Sequence, residues 1–318
     1  MSDQPLVSIV IPTYNRSELI LNAVNSALNQ TYSNVEIIVV DDNDPNSVER
    51  CHTKNKLATI NDSRFIYIEL DKNCGGCYAR NKGIKKSNGI YINFLDDDDI
   101  LLPTKIEKQV EVFLSSKEKL SVVGCFANII DNEGNIVRKE AEKIRGNVFL
   151  KQLEKNICTT SIALIDKKVC VEAGGFVEMP SSQDHYFFIK MFEINPYYDY
   201  KDEILVNINH HDGPRVSTNK KKPQGAKILL SKLTPILEQL DKSEREKIEY
   251  YHHNNIAESY LSIGNNKKAR EELFSNIKKY KKIKPQTIKY IFFSFIGTQN
   301  FYKLKGKILK STSNNWIR

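Results

Sequence analysis

Gly89-Ile-Tyr-Ile-Asn-Phe-Leu-Asp-Asp-Asp-Asp-Ile-Leu-Leu-Pro103 is an apolar run that stops abruptly at four carboxylates. A continuous apolar run of this length, bounded by glycine and acids, predicts a strand buried on both faces, as in a parallel sheet. Four adjacent acids at its carboxyl end repel one another and call for a cation. A hard divalent ion such as Mg²⁺ or Mn²⁺ takes oxygen ligands, commonly one or two carboxylates together with phosphate oxygens. Side chains alternate along extended backbone, so Asp96 and Asp98 are expected on one side and Asp97 on the other. The competing reading is a helix N-terminus, with Asp98 or Asp99 capping the segment around Pro103.

Upstream, Leu6-Val-Ser-Ile-Val-Ile11 is a short strand closed by Pro12 and followed by helical spacing from Ser17 to Gln30. Glu36-Ile-Ile-Val-Val40 is a second strand that ends in Asp41-Asp42-Asn43-Asp44; a polar helix near 47–57 and a strand from Phe65 to Leu70 follow. The order β-α-β-α-β implies parallel pairing with right-handed crossovers. Two strands therefore end in acids at their carboxyl ends, the place where open α/β sheets bind ligands. With Pro12, Thr13 and Tyr14, the Asp41-Asp42 pair supplies a ring to wall a base and a carboxylate to accept a hydrogen bond from it. Such pairs are also ordinary turn residues.

A helix is expected from Cys77 to Lys86, another from Pro103 to about Ser115, then strands at 121–130 and around Ile136-Val137. A second unit follows, with a strand from Thr160 to Ile165, a helix near 167–173 stopped by Gly174-Gly175, a helix opened by Gln183-Asp184, and a last strand from Ile204 to Ile208. Beyond Lys220 only helices are expected. Ile256, Ala257, Tyr260, Leu261, Ala269, Leu273 and Ile277 fit two amphipathic helices around Gly264-Asn265-Asn266, similar to a single tetratricopeptide-like hairpin. The tail from Lys303 mixes lysine with Leu, Ile and Trp, as an interfacial segment does.

The net charge of +8 conceals an asymmetry: residues 219–318 hold 22 Lys/Arg against 8 Asp/Glu, while residues 1–218 carry a net −6. An acidic working domain, 1–218, is thus expected ahead of a basic helical extension, 219–318, that meets something anionic. The six cysteines are scattered and no secretory signal opens the 318 residues, so reduced thiols and a cytoplasmic setting are expected. Cys74-Gly-Gly-Cys77 lacks a second pair or spaced histidines and reads as ordinary loop thiols. No G-x-G-x-x-G follows the first strand, which disfavours a dinucleotide oxidoreductase. A nucleic-acid-binding protein is the rival suggested by the basic tail, but the chain has no recognisable module of that kind.

In Val7-Ser-Ile-Val-Ile-Pro-Thr-Tyr-Asn-Arg16, Ser26-Ala-Leu-Asn-Gln-Thr-Tyr32, Glu36-Ile-Ile-Val-Val-Asp-Asp42, Ala79-Arg-Asn-Lys-Gly83, the acidic stretch to Pro103, Gly174-Gly-Phe176 and Gln183-Asp184, the chain resembles the family 2 glycosyltransferases over roughly residues 5–215. One departure is Asn43-Asp44, where such enzymes more commonly carry Gly-Ser. The resemblance implies an α/β fold, a GT-A-type nucleotide-sugar-binding sandwich with a mainly parallel sheet. It implies inverting transfer of a sugar, hexosyl or N-acetylhexosaminyl, from a UDP-sugar to a hydroxyl of a glycan acceptor, with Mg²⁺ or Mn²⁺ as cofactor. By position, Pro12, Tyr14 and Asp42 would hold the uridine, Arg80 would lie near the diphosphate, Asp96 and Asp97 near ribose or sugar, Asp98 on the metal, and Asp184 would be the base. His211 is assigned to the metal or diphosphate, the alternative being a hydrogen-bonded loop histidine. Thr159 and Thr160 are placed beside the acceptor. Expected partners are the UDP-sugar, a lipid-linked sugar acceptor for cell-surface polysaccharide, and an anionic membrane surface on the inner face reached through 219–318. A non-catalytic subunit that assembles with another transferase is the alternative, and the intact Asp98 and Asp184 argue against it.

Overall fold

The structure, a computed structural model, describes residues 4–131, 133–209 and 220–297. These fall into two compact units: residues 4–152, 156–178 and 184–209 form one, and residues 153–155, 179–183 and 220–297 form the other.

The first unit is built on one mixed sheet. Strand β1 (Val7–Thr13) pairs in parallel with β2 (Val35–Asp41) on one side and β4 (Tyr91–Phe94) on the other, and β3 (Phe65–Glu69) extends the parallel set beyond β2. Every residue of β1 and β2 is buried, as expected of strands covered on both faces. Helices α1 (Ile20–Leu28), α2 (Val48–Leu57) and α3 (Gly76–Lys86) make the crossovers. Gly83 of α3 lies so close to β1 that a β-carbon there would collide with Val10, and this close approach seats α3, with Arg80, against the central strand.

Beyond β4 the sheet becomes mixed. The path runs β3-β2-β1-β4-β9-β6-β10-β5, with β7 on β6 and β8 on β10; the added strands are β5 (Ile100–Leu101), β6 (Val122–Ile130), β7 (Ile136–Glu140), β8 (Gly146–Asn147), β9 (Leu164–Asp166) and β10 (Tyr197–Asn209). Helices α4 (Lys105–Ser115), α5 (Phe149–Glu154), α6 (Lys167–Glu172) and α7 (Gln183–Ile194) complete the order. Two expectations are revised here. The strand expected at 160–165 shortens to β9, because Asn93 and Gln109 side chains take the carbonyls of Ala163 and Ile162 at 2.7 and 2.9 Å in place of a ladder. The strand expected at 204–208 begins seven residues earlier, at Tyr197, since its charged first half and its register shifts around Ile204 hide it from a reading by hydropathy.

The second unit is helical, as expected: α8 (Lys222–Leu237), α9 (Lys242–Ser262), α10 (Asn266–Tyr280) and α11 (Pro285–Ile296). The expected hairpin is the α9–α10 pair, turning at Gly264 with φ of 81°. Asp241 caps α9 through the N–H groups of Ser243 and Glu244, and Asn265 caps α10 through that of Lys268. Ala257, Leu261, Ala269, Leu273, Tyr290 and Phe293 form the core shared by α9, α10 and α11. Among the described residues no helix is long and apolar enough to cross a membrane. The interfacial segment read at 303–318 lies outside them.

Candidate active site

The acids that follow β4 sit between two arginines. Arg16, in the loop after β1, contacts Asp97 at 3.1 Å and pairs with Asp98, while Arg80 of α3 donates to Asp96 at 2.6 Å. The loop that aims Arg16 turns at Asn15, with φ of 53°, and its backbone N–H is held by Asn43 Oδ1 at 2.8 Å. Asn tolerates this left-handed conformation better than most residues.

These acids lie in a turn closed by the Asp99 N–H on the Asp96 carbonyl at 3.0 Å, so the alternation expected here does not hold: Asp99 joins Asp96 and Asp98, and that group does not include Asp97. Asp97 is buried, accepts from Thr13 Oγ1 at 2.7 Å, and burial pushes its carboxyl up to about 7 against the opposing pull of Arg16. Arg16 links it to Asp98, while the ligand oxygens of Asp96, Asp98 and Asp99 all lie within 4.8 Å of one another. Asp99 belongs to the run of four acids expected to call for a cation, but the resemblance gives it no role of its own. It accepts from Ser161 Oγ at 2.5 Å and from the Asn209 N–H at 3.0 Å. Burial, and then the charges of Asp96 and Asp98, raise its carboxyl well above the usual range. Ser161 and Asn209 lie far along the chain, which is why spacing did not reveal these partners. Three carboxylates in this compass are hard oxygen donors and suit a hard divalent cation. The expected His211 lies outside the described residues.

Asp184 opens α7 just after Ser182, which holds a φ of 65°. It is half-buried, and Asn156 Nδ2 donates to it at 3.0 Å. Gln152 Nε2 in turn donates to Asn156 Oδ1 at 2.9 Å, which fixes the amide's orientation. Neither Asn156 nor Gln152 had a sequence signal, since an isolated amide after a short helix looks like any loop residue. Burial raises the Asp184 carboxyl, the His185 N–H and the Arg80 charge lower it, and Asp96 raises it again. Arg80 thus lies within electrostatic reach of both Asp96 and Asp184, bringing together two acids 88 positions apart in the chain. Arg80 also packs over the Phe176 ring at 5.5 Å, and its buried Nε has no hydrogen-bond partner among the described residues.

The end of β2 is built differently. Asp42 is buried and each of its oxygens accepts a backbone N–H, from Cys74 at 2.6 Å and Gly75 at 2.8 Å, so it braces the turn into α3. Burial raises its carboxyl and these two bonds lower it. Asp41 accepts from Asn43 Nδ2 at 2.8 Å and Tyr67 OH at 2.6 Å and lies 3.2 Å from Arg50 Nε. The unusual Asn43 is therefore a tie between this turn and the Arg16 loop. Pro12 is buried in β1, where β4 no longer pairs, and Tyr14 exposes 45% of its surface, leaving a ring available for stacking. Thr159 carries a buried Oγ1 without a partner among the described residues. All six cysteines are free; Cys77, expected as a loop thiol, lies buried in the first turn of α3, and burial pushes its thiol up to about 12, as for an inert thiol. A separate groove of about 530 Å³ lies in the helical unit, lined among others by Lys220, Lys227, Tyr260 and Lys268; none of the acids described above contributes to it.

This combination, a parallel β-α-β half with acids at the ends of β2 and β4, sets the comparison with known proteins. The profile of glycosyl transferase family 2 matches residues 8–173, just over half of the chain, and the chain belongs to that family. WcaA of Escherichia coli K12, provisionally named a colanic acid biosynthesis glycosyl transferase, is 39% identical over 125 residues, 38% of this chain and 40% of its own length. WfgD of Escherichia coli, a UDP-Glc:alpha-D-GlcNAc-diphosphoundecaprenol beta-1,3-glucosyltransferase, is 35% identical over 130 residues, 41% of this chain and 49% of its own length. The chain thus spans less than half the length of either relative. Among solved structures, S. aureus TarS 1-349 in complex with UDP-GlcNAc matches with a TM-score of 0.62 at 17% identity, over 86% of this chain and 89% of that one. The mannosyltransferase PcManGT of Pyrobaculum calidifontis, in complex with GDP-Man and Mn²⁺, matches with a TM-score of 0.59 at 16% identity, over 99% and 88%. The fold is of the GT-A type, with a helical region after it.

Proposed function

We propose that this chain is an inverting, metal-dependent glycosyltransferase that moves a hexosyl or N-acetylhexosaminyl group from a UDP-sugar to a hydroxyl of a lipid-linked glycan acceptor in cell-surface polysaccharide synthesis. The observation that carries this reading is the cluster of Asp96, Asp98 and Asp99 at the end of β4, with Arg80 on Asp96 at 2.6 Å. In transfer, the acceptor oxygen attacks the anomeric carbon and gives its proton to the Asp184 carboxylate. The bond from that carbon to the diphosphate breaks, and its electron pair leaves on the phosphate oxygen. Arg80, with a buried donor not otherwise used, offsets the charge that develops there. Asp96, Asp98 and Asp99 would hold Mg²⁺ or Mn²⁺, which when bound neutralises diphosphate charge. Asn156 keeps Asp184 oriented and, as a donor to its charged form, favours the ionised base.

The choice of uridine is supported by the exposed Tyr14 ring beside Pro12 and by the donors named for WfgD and TarS. Asp42 serves in this reading through the turn it braces as much as through a base contact, because both its oxygens already accept backbone N–H groups. The lipid-linked acceptor follows the diphosphoundecaprenol in the name of WfgD. Attachment to the inner face of the cell membrane through 219–318 follows from the basic charge of that segment. The test is a panel of UDP-sugars scored for metal-dependent hydrolysis and thermal stabilisation. Stabilisation by at least one of them, lost on chelation, is expected; no response to any member would overturn the UDP-sugar assignment.

A further inference from the structure

Helix α11 wears its apolar residues on both sides. Thr287, Tyr290, Phe293 and Ser294 are buried, and Tyr290 and Phe293 fill the core with α9 and α10. At 100° per residue, Ile288, Phe292 and Phe295 lie within an arc of about 60° on the opposite side. They expose 58%, 57% and 67% of their surfaces, and Ile283, just before the helix, exposes 60%. Large aromatic side chains grouped on one solvent-facing arc are the kind of patch that marks an interaction surface.

The charges around this face decide what it fits. Residues 278–289 hold six lysines and no acid, and residues 273–318 hold eleven Lys/Arg and neither Asp nor Glu. Lys279 and Lys282 have carboxylate partners, Glu249 at 3.1 Å and Glu246 at 4.0 Å. Lys278, Lys281, Lys284 and Lys289 have none among the described residues. Arg270 of α10 lies over the Phe295 ring at 4.8 Å, adding a further cation at the edge of the patch. An apolar arc flanked by cations without carboxylate partners, of which Lys284 and Lys289 lie over the Tyr250 and Phe293 rings, on a helix of only 12 residues, matches an element that lies in a membrane interface rather than crossing it.

We propose that the Ile288-Phe292-Phe295 face of α11 is the part of the chain that enters the headgroup boundary of an anionic bilayer, with the neighbouring lysines on the lipid phosphates. This rests on the membrane attachment proposed above and names the surface that makes it. Burial of the rings supplies a salt-insensitive part of the binding and the lysines a salt-sensitive part.

The test is flotation of the full chain with vesicles of phosphatidylcholine alone or with 30% phosphatidylglycerol, a composition set at about the anionic content of a cytoplasmic leaflet. The chain is expected to float with the anionic vesicles and not with phosphatidylcholine. The double variant Phe292→Ser/Phe295→Ser is expected to bind about 10-fold more weakly or worse at unchanged Tm. In a Trp316→Phe background, Phe292→Trp should be quenched by brominated lipid. Undiminished flotation of the double variant, or Phe292→Trp fluorescence indifferent to brominated lipid, would show that another part of 219–318 makes the contact. A Tm lowered by several degrees would show the face covered by the chain itself, and a halved solution mass in the double variant would make it an interface between copies; either result overturns the proposal. UDP-sugar thermal shifts on the same samples keep the two readings apart: donor binding without flotation removes only the membrane face, and flotation without donor binding removes only the donor.

Discussion

The ends of β2 and β4 look alike in sequence, each a buried apolar strand running into acids, yet they are built for opposite purposes. After β2, Asp41 and Asp42 are tied by Asn43, Tyr67, Arg50 and two backbone N–H groups, so their charge is spent within the fold. After β4, Asp96, Asp98 and Asp99 crowd one another, and two arginines on separate elements hold the charge in check. What separates a structural acid from a working one is the origin of its donors. Asp42 has both oxygens on backbone N–H groups and Asp41 is tied by turn and strand side chains, whereas the β4 acids keep three carboxylates together and so retain oxygens that a cation can share.

The contrast is broken most directly at Asp184, the acid opposed to the β4 cluster across Arg80. Asp184→Asn is expected to lower kcat by about 10²- to 10⁴-fold, the usual contribution of a general base, with UDP binding by calorimetry unchanged. Retained turnover would remove Asp184 as base. Asn156→Ala tests the positioning bond: a smaller kcat loss is expected, accompanied by an acidic limb of the pH profile moved to higher pH, because the ionised base loses a donor and its pKa rises.

At the β2 end the expected losses are in stability. Asp41→Ala leaves Arg50 with Glu69 alone as carboxylate partner and removes the acceptor of Tyr67 and Asn43; it should cost about 1–3 kcal/mol in urea unfolding, with metal affinity of the folded protein unaltered. Asp98→Ala should show the reverse pattern, a Mn²⁺ affinity about 10-fold weaker or worse by paramagnetic resonance and a Tm close to the parent's. If both variants behaved alike, the distinction between the two strand ends would fall.

The smallest effect belongs to Asp97. Its folded carboxyl is raised to about 7 from an ordinary value near 3.8, so the folded state binds the extra proton. The contribution to stability is complete below the ordinary value and is lost as pH rises through about 7. The parent's Tm should therefore decline between pH 5 and 8 relative to that of Asp97→Asn, and parallel curves for the two would contradict the assigned burial.

Much of this molecule was legible beforehand. The parallel order of the first four long strands, the helices between them and the α9–α10 hairpin followed from hydrophobic period and turn residues, which are local signals. The shortened β9 and lengthened β10 were not legible, because side chains from elsewhere satisfy the backbone of 161–163 and because charge on one face of β10 masks its alternation. Asn156 and Arg16 carried no signal for a related reason: each meets its acid partner, Asp184 or Asp97 and Asp98, from a distance along the chain.

The sequence by itself determined the sheet's parallel half, the acidic residues at two strand ends and the opposed charges of the two segments, since strand and helix periods and charge content are properties of neighbours along the chain. Only the tertiary structure decided that Asp96, Asp98 and Asp99 cluster, that Asp97 is buried against Thr13, that Arg80 bonds Asp96, and that α11 presents rings outward. Those outcomes depend on which donors and which surfaces meet through space, and burial sets their energies only once the chain has closed around them.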